Sequence, residues 1–185
     1  MKYSFVFVLL MVSFYATSDN FHKGENLITP YELDEDKWEV LKRVKGSFKS
    51  MMWRSKAKGM ADTYIVNIQG GNKSSLTEVK RIQDAPGEKA CENFESIELA
   101  MLPNQYYDST VWRTICTNGP NFKAQILHAA IKGKDSIYHV QKIWRGEVAD
   151  NEMKKWVSAF NKIYVCDTRD KNKACPKDYQ KVSNF

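Results

Sequence analysis

The stretch Phe122–Arg145 reads FKAQILHAAIKGKDSIYHVQKIWR and contains two strand-like segments around a glycine. The segments are Phe122–Lys132 and Ser136–Arg145, and both carry aliphatic and aromatic residues that strands favour. Gly133-Lys134 lies between them. A glycine at the first position suits the type II′ turn of a two-residue hairpin, because that position needs a positive φ. The stretch therefore predicts an antiparallel β-hairpin.

Further strands and helices are predicted on both sides of this hairpin. Composition or alternation favours strands over Ala61–Gln69, Glu95–Met101 and Thr110–Cys116. Three helices are predicted: one from Asp34 to about Lys56, one that opens with a capping box at Ser75 and is interrupted at Pro86-Gly87 before a further helical turn through Cys91, and one capped by Asp150. The first of these rests on apolar residues three or four positions apart, namely Trp38, Leu41, Val44, Phe48 and Met52.

The predicted order is helix, strand, helix, a run of antiparallel strands, and helix. Such an order predicts an α+β fold, with helices packed on an antiparallel, meandering sheet of about five strands. It resembles the α/β/α sandwich of the PsbP-like group, an architecture that small exported proteins of Gram-negative bacteria also use. The resemblance rests on element order alone, so it implies a fold and no functional residue.

The N-terminus has the three parts of a secretory signal peptide. A positive charge at Lys2 is followed by an apolar run from Phe5 to Tyr15 and by small residues up to Ser18. The run is shorter than the ~20 residues of a spanning helix, which favours a cleaved signal over a membrane anchor. We therefore predict a signal peptide over 1–18, a flexible leader over 19–33 and a single domain over 34–185. The protein would be secreted to the periplasm or beyond, with no transmembrane segment after cleavage.

Four cysteines follow the predicted signal peptide, at Cys91, Cys116, Cys166 and Cys175. Exported compartments are oxidising, so an even number of cysteines predicts disulfides that staple the fold. Three pairings are conceivable, and we favour Cys91–Cys116 and Cys166–Cys175 because each joins near neighbours in sequence. The alternative is a zinc site on these thiols, but the sequence has no C-x-x-C pair.

A basic stripe is predicted on the first helix. Lys42, Lys45, Lys49, Trp53 and Lys56 fall three or four residues apart, which aligns them on one helical side. Lysines beside an exposed tryptophan suit an anionic membrane surface or an acidic protein partner. The alternative is a solvated lysine face with the tryptophan folded onto the core. The net charge of +6 is spread along the chain, which argues against a nucleic-acid partner.

A two-residue turn in the hairpin would place His128 directly opposite His139. Two imidazoles on one sheet face can begin a metal site, although a closed site needs four ligands. The alternative is a polar pair with no ligand. Three aromatic residues on predicted strands also suit a sugar or protein contact, but core positions are the commoner explanation; they are Trp112, Tyr138 and Trp144.

The sequence contains no G-x-S-x-G, no H-E-x-x-H and no phosphate-binding glycine loop. It therefore favours a monomeric, exported, non-enzymatic binding or effector protein that needs no cofactor and contacts a host protein, an envelope protein or an anionic surface. One alternative is a hydrolase with dispersed carboxylates, as glycosidases use. Another is a small enzyme inhibitor that presents the Met101–Tyr107 loop. The available carboxylates are Asp62, Glu95, Glu98 and Asp108.

Overall fold

The computed structural model describes residues 24–29, 33–34, 36–71, 73–100 and 106–177. The predicted signal peptide over 1–18 lies outside these ranges. In chain order the elements are β1 (Glu25–Ile28), β2 (Trp38–Lys45), β3 (Phe48–Ser55), β4 (Gly59–Gly70), α1 (Leu76–Ala90), β5 (Asn93–Leu99), β6 (Ser109–Asn118), β7 (Phe122–Lys132), β8 (Ser136–Arg145), α2 (Asp150–Phe160), β9 (Tyr164–Asp167) and a 3₁₀ helix (Lys171–Lys173).

Seven strands form one antiparallel sheet in the order β2-β3-β4-β8-β7-β6-β5, and β1 pairs with β9 in a second, two-stranded sheet. The core lies on one face of the large sheet. There Trp156 and Phe160 of α2 pack with strand residues such as Tyr64, Val66 and Leu127. The opposite face is contacted by α1, over β5, β6 and β7. The two faces therefore carry different sets of side chains, because successive residues of a strand alternate between them.

The predicted hairpin is confirmed, and β7 and β8 have the expected bounds. Its predicted register is wrong, because Lys132 pairs with Ile137 and not with Asp135. The loop is longer than two residues and is closed by a bond from the Gly133 N–H to the Ser136 carbonyl at 2.9 Å. Each residue of β7 lies opposite a β8 residue two positions later than predicted. Because a shift of two residues preserves the alternation of side chains, every side chain stays on its predicted face.

The helix predicted over 34–56 is wrong, because this stretch forms the β2–β3 hairpin. Gly46-Ser47 is a two-residue turn that sets Lys45 opposite Phe48. Gly46 has a φ of 56°, a left-handed conformation that glycine adopts without strain. A Gly-Ser pair between two strand-like runs is a hairpin signal, and it outweighs the helical spacing of the apolar residues.

The predicted α+β class and α/β/α sandwich are wrong, because this hairpin enlarges the sheet at the expense of a helix. The large sheet has seven strands instead of about five, and most of the described chain is β structure. The two remaining α-helices are too few and too short to cover a sheet of this width with a layer on each side. The resemblance to the PsbP-like group itself stays a prediction.

The leader predicted over 19–33 contains a strand, so that prediction is wrong for Glu25–Ile28. β1 pairs with β9, and Leu27 is buried in the core. The N-terminal strand is thus an integral part of the domain.

The capping box is half confirmed: the Ser75 hydroxyl accepts the Glu78 N–H at 3.1 Å, but the Glu78 carboxylate pairs with Arg81.

Both favoured disulfides are present. Cys91–Cys116 joins the end of α1 to β6, and Cys166–Cys175 closes the C-terminal segment onto β9. Neither α-helix of the described ranges has the length and apolar character needed to cross a bilayer.

Candidate functional site

The β2–β3 hairpin forms an exposed, basic end of the large sheet. Six of the eight residues of β2 are exposed. The hairpin strands carry five basic side chains and one acidic side chain, namely Lys42, Arg43, Lys45, Lys49, Arg54 and Glu39. Arg54 Nε donates to Glu39 Oε2 at 3.1 Å, so these two charges offset each other. The remaining four cations make the half of the hairpin nearest its turn positive.

Two aliphatic side chains lie among these cations. Leu41 keeps 45% of its surface exposed and Val44 keeps 57%, on opposite faces of β2. Single exposed aliphatic residues are ordinary on protein surfaces. Here, however, they stand on the terminal strand of a sheet, beside cations and next to an open backbone edge.

The backbone of β2 presents hydrogen-bonding groups to the outside of the sheet. The Lys45–Phe48 pair flanks a two-residue turn and is therefore a hydrogen-bonded pair. Alternation then directs the N–H and C=O groups of Val40, Lys42 and Val44 away from β3. Among the described residues, no strand pairs with this side of β2. Such an edge is a template for an additional strand.

The predicted basic stripe is divided between the two faces of the hairpin. Lys42, Lys49 and Trp53 lie on the face of the core, Lys45 lies on the other face, and Lys56 follows the end of β3. Spacings of three and four align residues on a helix but split them on a strand. The Trp53 side chain is half-buried, with its ring centroid 5.5 Å from that of Tyr64. The tryptophan therefore belongs to the edge of the core.

The two predicted histidines lie together on the face that α1 contacts. His128 stands opposite Gln141, and His139 stands opposite Ala130, so the histidines are diagonal neighbours. His128 Nδ1 lies 3.2 Å from His139 Nε2. Thr114 Oγ1 lies 3.2 Å from the other ring nitrogen of His128. The imidazoles are thus adjacent through a different register from the one predicted.

Both imidazoles are held neutral by their surroundings. Burial lowers the pKa of His139 to about 4, and burial with the nearby His139 lowers the pKa of His128 well below its ordinary value. Within the described ranges, no group forms a hydrogen bond with the buried His139 Nδ1. Across the described ranges no three His, Cys, Asp or Glu side chains are grouped so that they could hold a metal ion.

A buried carboxylate ties α1 to this histidine pair. Asp84 accepts hydrogen bonds from Trp112 Nε1 at 3.0 Å, from the Ser96 hydroxyl at 2.7 Å and from Lys80 Nζ at 2.7 Å. Trp112 in turn stacks on His128, with 4.4 Å between ring centroids and an interplanar angle of 5°. Each polar group of Asp84 is used inside the protein, so this cluster holds α1 on the sheet.

Sequence reasoning missed a buried lysine on the core face. Lys142 is 1% exposed, and its Nζ contacts the carboxylate of Asp62. The Nζ also lies 4.8–5.1 Å from the ring centroids of Trp38, Trp144 and Trp156. Burial lowers the pKa of Lys142 to about 7, whereas the aromatic faces and the carboxylate favour its cation. The available signal was a lysine at an inward position of the alternating strand β8.

The Lys142 side chain itself occupies the space between the indoles of Trp38, Trp144 and Trp156. These three rings therefore leave no room for an external cation. The aromatic residues singled out in the sequence also belong to the interior: Trp112, Tyr138 and Trp144 are all buried. The core explanation of these three residues is therefore confirmed.

The candidate carboxylates of a hydrolase are dispersed. Asp62 lies on β4 and forms an ion pair with Lys142 of β8. Glu95 and Glu98 lie on β5, at the far edge of the sheet. Glu95 and Glu98 are three positions apart, so they point to opposite faces. A groove of about 340 Å³ on α2 is lined by Met153, Lys154, Val157, Ser158 and Asn161. Of these five described residues, Lys154 is the one that is ionisable.

No protein-family model matches this chain, and comparison with the curated proteins finds no relative.

Proposed function

We propose that this protein is an exported, non-enzymatic binding protein that uses the outer edge of β2 to bind an acidic, strand-forming segment of a protein partner. One observation carries the proposal: β2 combines outward backbone groups, three basic side chains and two exposed aliphatic side chains on one terminal strand. Main-chain bonds would supply affinity, and the alternating side chains would supply selectivity.

The charge of the hairpin favours an acidic partner. The hairpin strands carry five basic side chains and one acidic side chain, Glu39, which Arg54 engages. Complementary charge speeds encounter and rejects partners of like charge. The predicted signal peptide and the two disulfides support a site of action outside the cytoplasm.

A protein partner fits this surface better than a lipid surface does. Membrane-surface elements commonly insert an exposed aromatic side chain between lipids, but Trp53 packs on Tyr64 instead. The hydrolase alternative has less support, because its candidate carboxylates stand on different strands and faces, and no carboxylate is among the described residues that line the α2 groove.

The proposal is tested with a synthetic strand of alternating glutamate and valine, labelled for fluorescence anisotropy. A second peptide of equal charge with a central proline adds less well to an edge, because proline lacks the N–H of a strand ladder. We expect the purified protein to bind the first peptide and to bind the proline peptide at least tenfold more weakly. The double variant Arg43→Glu/Lys45→Glu should weaken binding of the first peptide at least tenfold.

The matched control is Lys154→Glu/Lys171→Glu, which changes the net charge equally at exposed positions outside the hairpin. This variant should bind the peptide as the wild type does. Equal binding of both peptides would contradict strand addition. Co-sedimentation with phosphatidylserine vesicles, together with no peptide binding, would overturn the protein-partner proposal and assign the surface to an anionic lipid.

A further inference from the structure

The two terminal strands of the large sheet carry opposite charge. β2 has three basic side chains and one acidic side chain, whereas β5 has two acidic side chains, Glu95 and Glu98, and no basic one. Five of the seven residues of β5 are exposed. Among the described residues, no strand pairs with the outer side of β5. One molecule thus presents a basic edge and an acidic edge.

The directions of the two edge strands allow them to meet. Six antiparallel steps lead from β2 to β5 through the sheet, so β2 and β5 run the same way. A second copy displaced sideways, without rotation, would set its β5 beside β2 as a parallel pair. Both copies would then keep their core faces on the same side of the enlarged sheet.

One parallel register matches charge and exposed apolar surface together. When Lys42 lies beside Glu95 in a parallel pair, the register also places Val44 beside Ile97 and Lys45 beside Glu98. Each pair occupies the same sheet face in both copies, because Lys42 and Glu95 lie on the core face and Lys45 and Glu98 on the other. Val44 and Ile97 are both exposed large hydrophobic residues, at 57% and 43%.

The same register also brings Leu41 beside Phe94, on the face that α1 contacts. It places Glu39 near Glu92, but both carboxylates are already engaged. Arg54 binds Glu39, and the Gly119 N–H donates to Glu92 at 2.7 Å. Pairings of like edges, β2 with β2 or β5 with β5, would instead oppose charges of one sign, which is unfavourable across strands.

We propose that the acidic partner of the β2–β3 hairpin is the β5 edge of a second copy of this chain, which extends the sheet from head to tail. This inference rests on the proposed function, since it names the partner of the same surface. A single strand pair buries less area than a standard interface, so the association is weak and rises with concentration. A head-to-tail interface does not close by itself and gives chains or rings. The monomer expected from the sequence would hold only at low concentration.

Sedimentation velocity between about 10 µM and about 1 mM tests the inference, because weak interfaces associate in this range. The wild-type sedimentation coefficient should rise with concentration, and less so at high salt. Lys45→Glu and Glu98→Lys should each weaken association at least tenfold. Mixing these two variants should restore association, because each then offers an edge that complements the other. The double variant Lys45→Glu/Glu98→Lys should likewise associate as the wild type does.

Failure of the inference is distinguishable from failure of the proposed function. A protein that stays monomeric throughout this range but binds the glutamate-valine peptide would overturn self-association and leave an acidic partner of another kind. Association that survives in both single variants would show that other surfaces carry it and would also overturn the inference. Lys154→Glu is the control, since it inverts one exposed charge on α2 and should leave association unchanged.

Discussion

Trp112 on β6 donates its indole N–H to Asp84 on α1 at 3.0 Å, and this bond fixes the helix on the sheet. Asp84→Ala would leave the indole N–H and the Ser96 hydroxyl without their buried acceptor and Lys80 without its carboxylate. We expect the free energy of unfolding to fall by about 3 kcal/mol, the cost of unpaired buried polar groups. Urea denaturation followed by tryptophan fluorescence measures this change.

Glu88→Ala serves as the control for the Asp84 variant, because Glu88 is an exposed residue of the same helix. Its effect should stay within about 0.5 kcal/mol, as for ordinary surface substitutions. If the Asp84 variant were as stable as the wild type, the cluster would not hold α1 in place.

The neutral histidine pair predicts a loss of stability at mildly acidic pH. The unfolded chain takes up protons at its histidines near pH 6.5, whereas burial lowers the folded pKa of His139 to about 4. The unfolded state thus binds more protons in this window, so stability falls as the pH falls from 6.5 toward 4. His139 alone should reduce the free energy of unfolding by about 2 kcal/mol between pH 8 and pH 5. His128 has the same sign and adds to the effect.

Urea denaturation at pH 8, 6.5 and 5 checks this dependence. His139→Gln removes one titrating ring, so its stability should depend less steeply on pH than that of the wild type. A charged group of α1 also acts on the pair: the positive charge of Lys80 contributes to the lowered pKa of His128. A wild-type stability that does not change between pH 8 and pH 5 would contradict the assignment of neutral, buried imidazoles.

Local signals were sufficient for the β7–β8 hairpin, the start of α1 and both disulfides. Alternation and the glycine between two strand-like runs act over a few residues, and so does the Ser75 cap. The prediction for the β2–β3 segment was wrong for a specific reason. Its apolar residues satisfy a spacing of three to four, and only the Gly46-Ser47 turn distinguishes a hairpin from a bent helix.

The contacts that join distant parts of the chain were beyond local reasoning. Lys142 reaches Asp62 across 80 positions of sequence, and β1 pairs with β9 across the whole domain. The same limit applies to the complementary edges, since β2 and β5 become the two borders of one sheet only through the strand order. Residue types identify the charges, but the topology decides which of them share an edge.

The buried pair of Lys142 and Asp62 predicts a non-additive pair of substitutions. Lys142→Met removes the buried cation from the Asp62 carboxylate and leaves it the exposed Lys58, whose Nζ lies 3.9 Å away. We expect a loss of about 3–5 kcal/mol, as for one broken partner of a buried ion pair. The double variant Lys142→Met/Asp62→Leu removes both charges and should recover to within about 1 kcal/mol of the wild type. Urea denaturation of the two variants measures the difference.

Lys154→Met is the matched control for Lys142→Met, because Lys154 is an exposed lysine of α2. It should leave stability within about 0.5 kcal/mol of the wild type. If the double variant were less stable than Lys142→Met, removal of the unpaired Asp62 carboxylate would bring no gain, and the assignment of Lys142 and Asp62 as mutually compensating buried charges would be wrong.

The Glu25 side chain anchors β1 beneath the β7–β8 loop. Its carboxylate accepts the backbone N–H groups of Lys134 and Asp135 and the Tyr138 hydroxyl, the last at 3.2 Å. Gly133 leaves room for this carboxylate, since a Cβ there would lie 2.7 Å from Glu25 Oε2. The loop therefore requires glycine at this position because of the close approach, although the backbone φ of Gly133 is not in the left-handed region.

Gly133→Ala should displace the Glu25 carboxylate from its donors and lower the free energy of unfolding by about 2 kcal/mol, within the usual range for a strained buried site. Glu25→Ala alone should lower it by a similar amount, because two part-buried backbone N–H groups and the buried Tyr138 hydroxyl lose this acceptor. In the double variant the alanine at position 133 no longer meets a carboxylate, so the two losses should overlap by at least about 1 kcal/mol. Urea denaturation of the four proteins closes the cycle. Strictly additive losses would mean that the glycine is required for a reason other than the Glu25 contact.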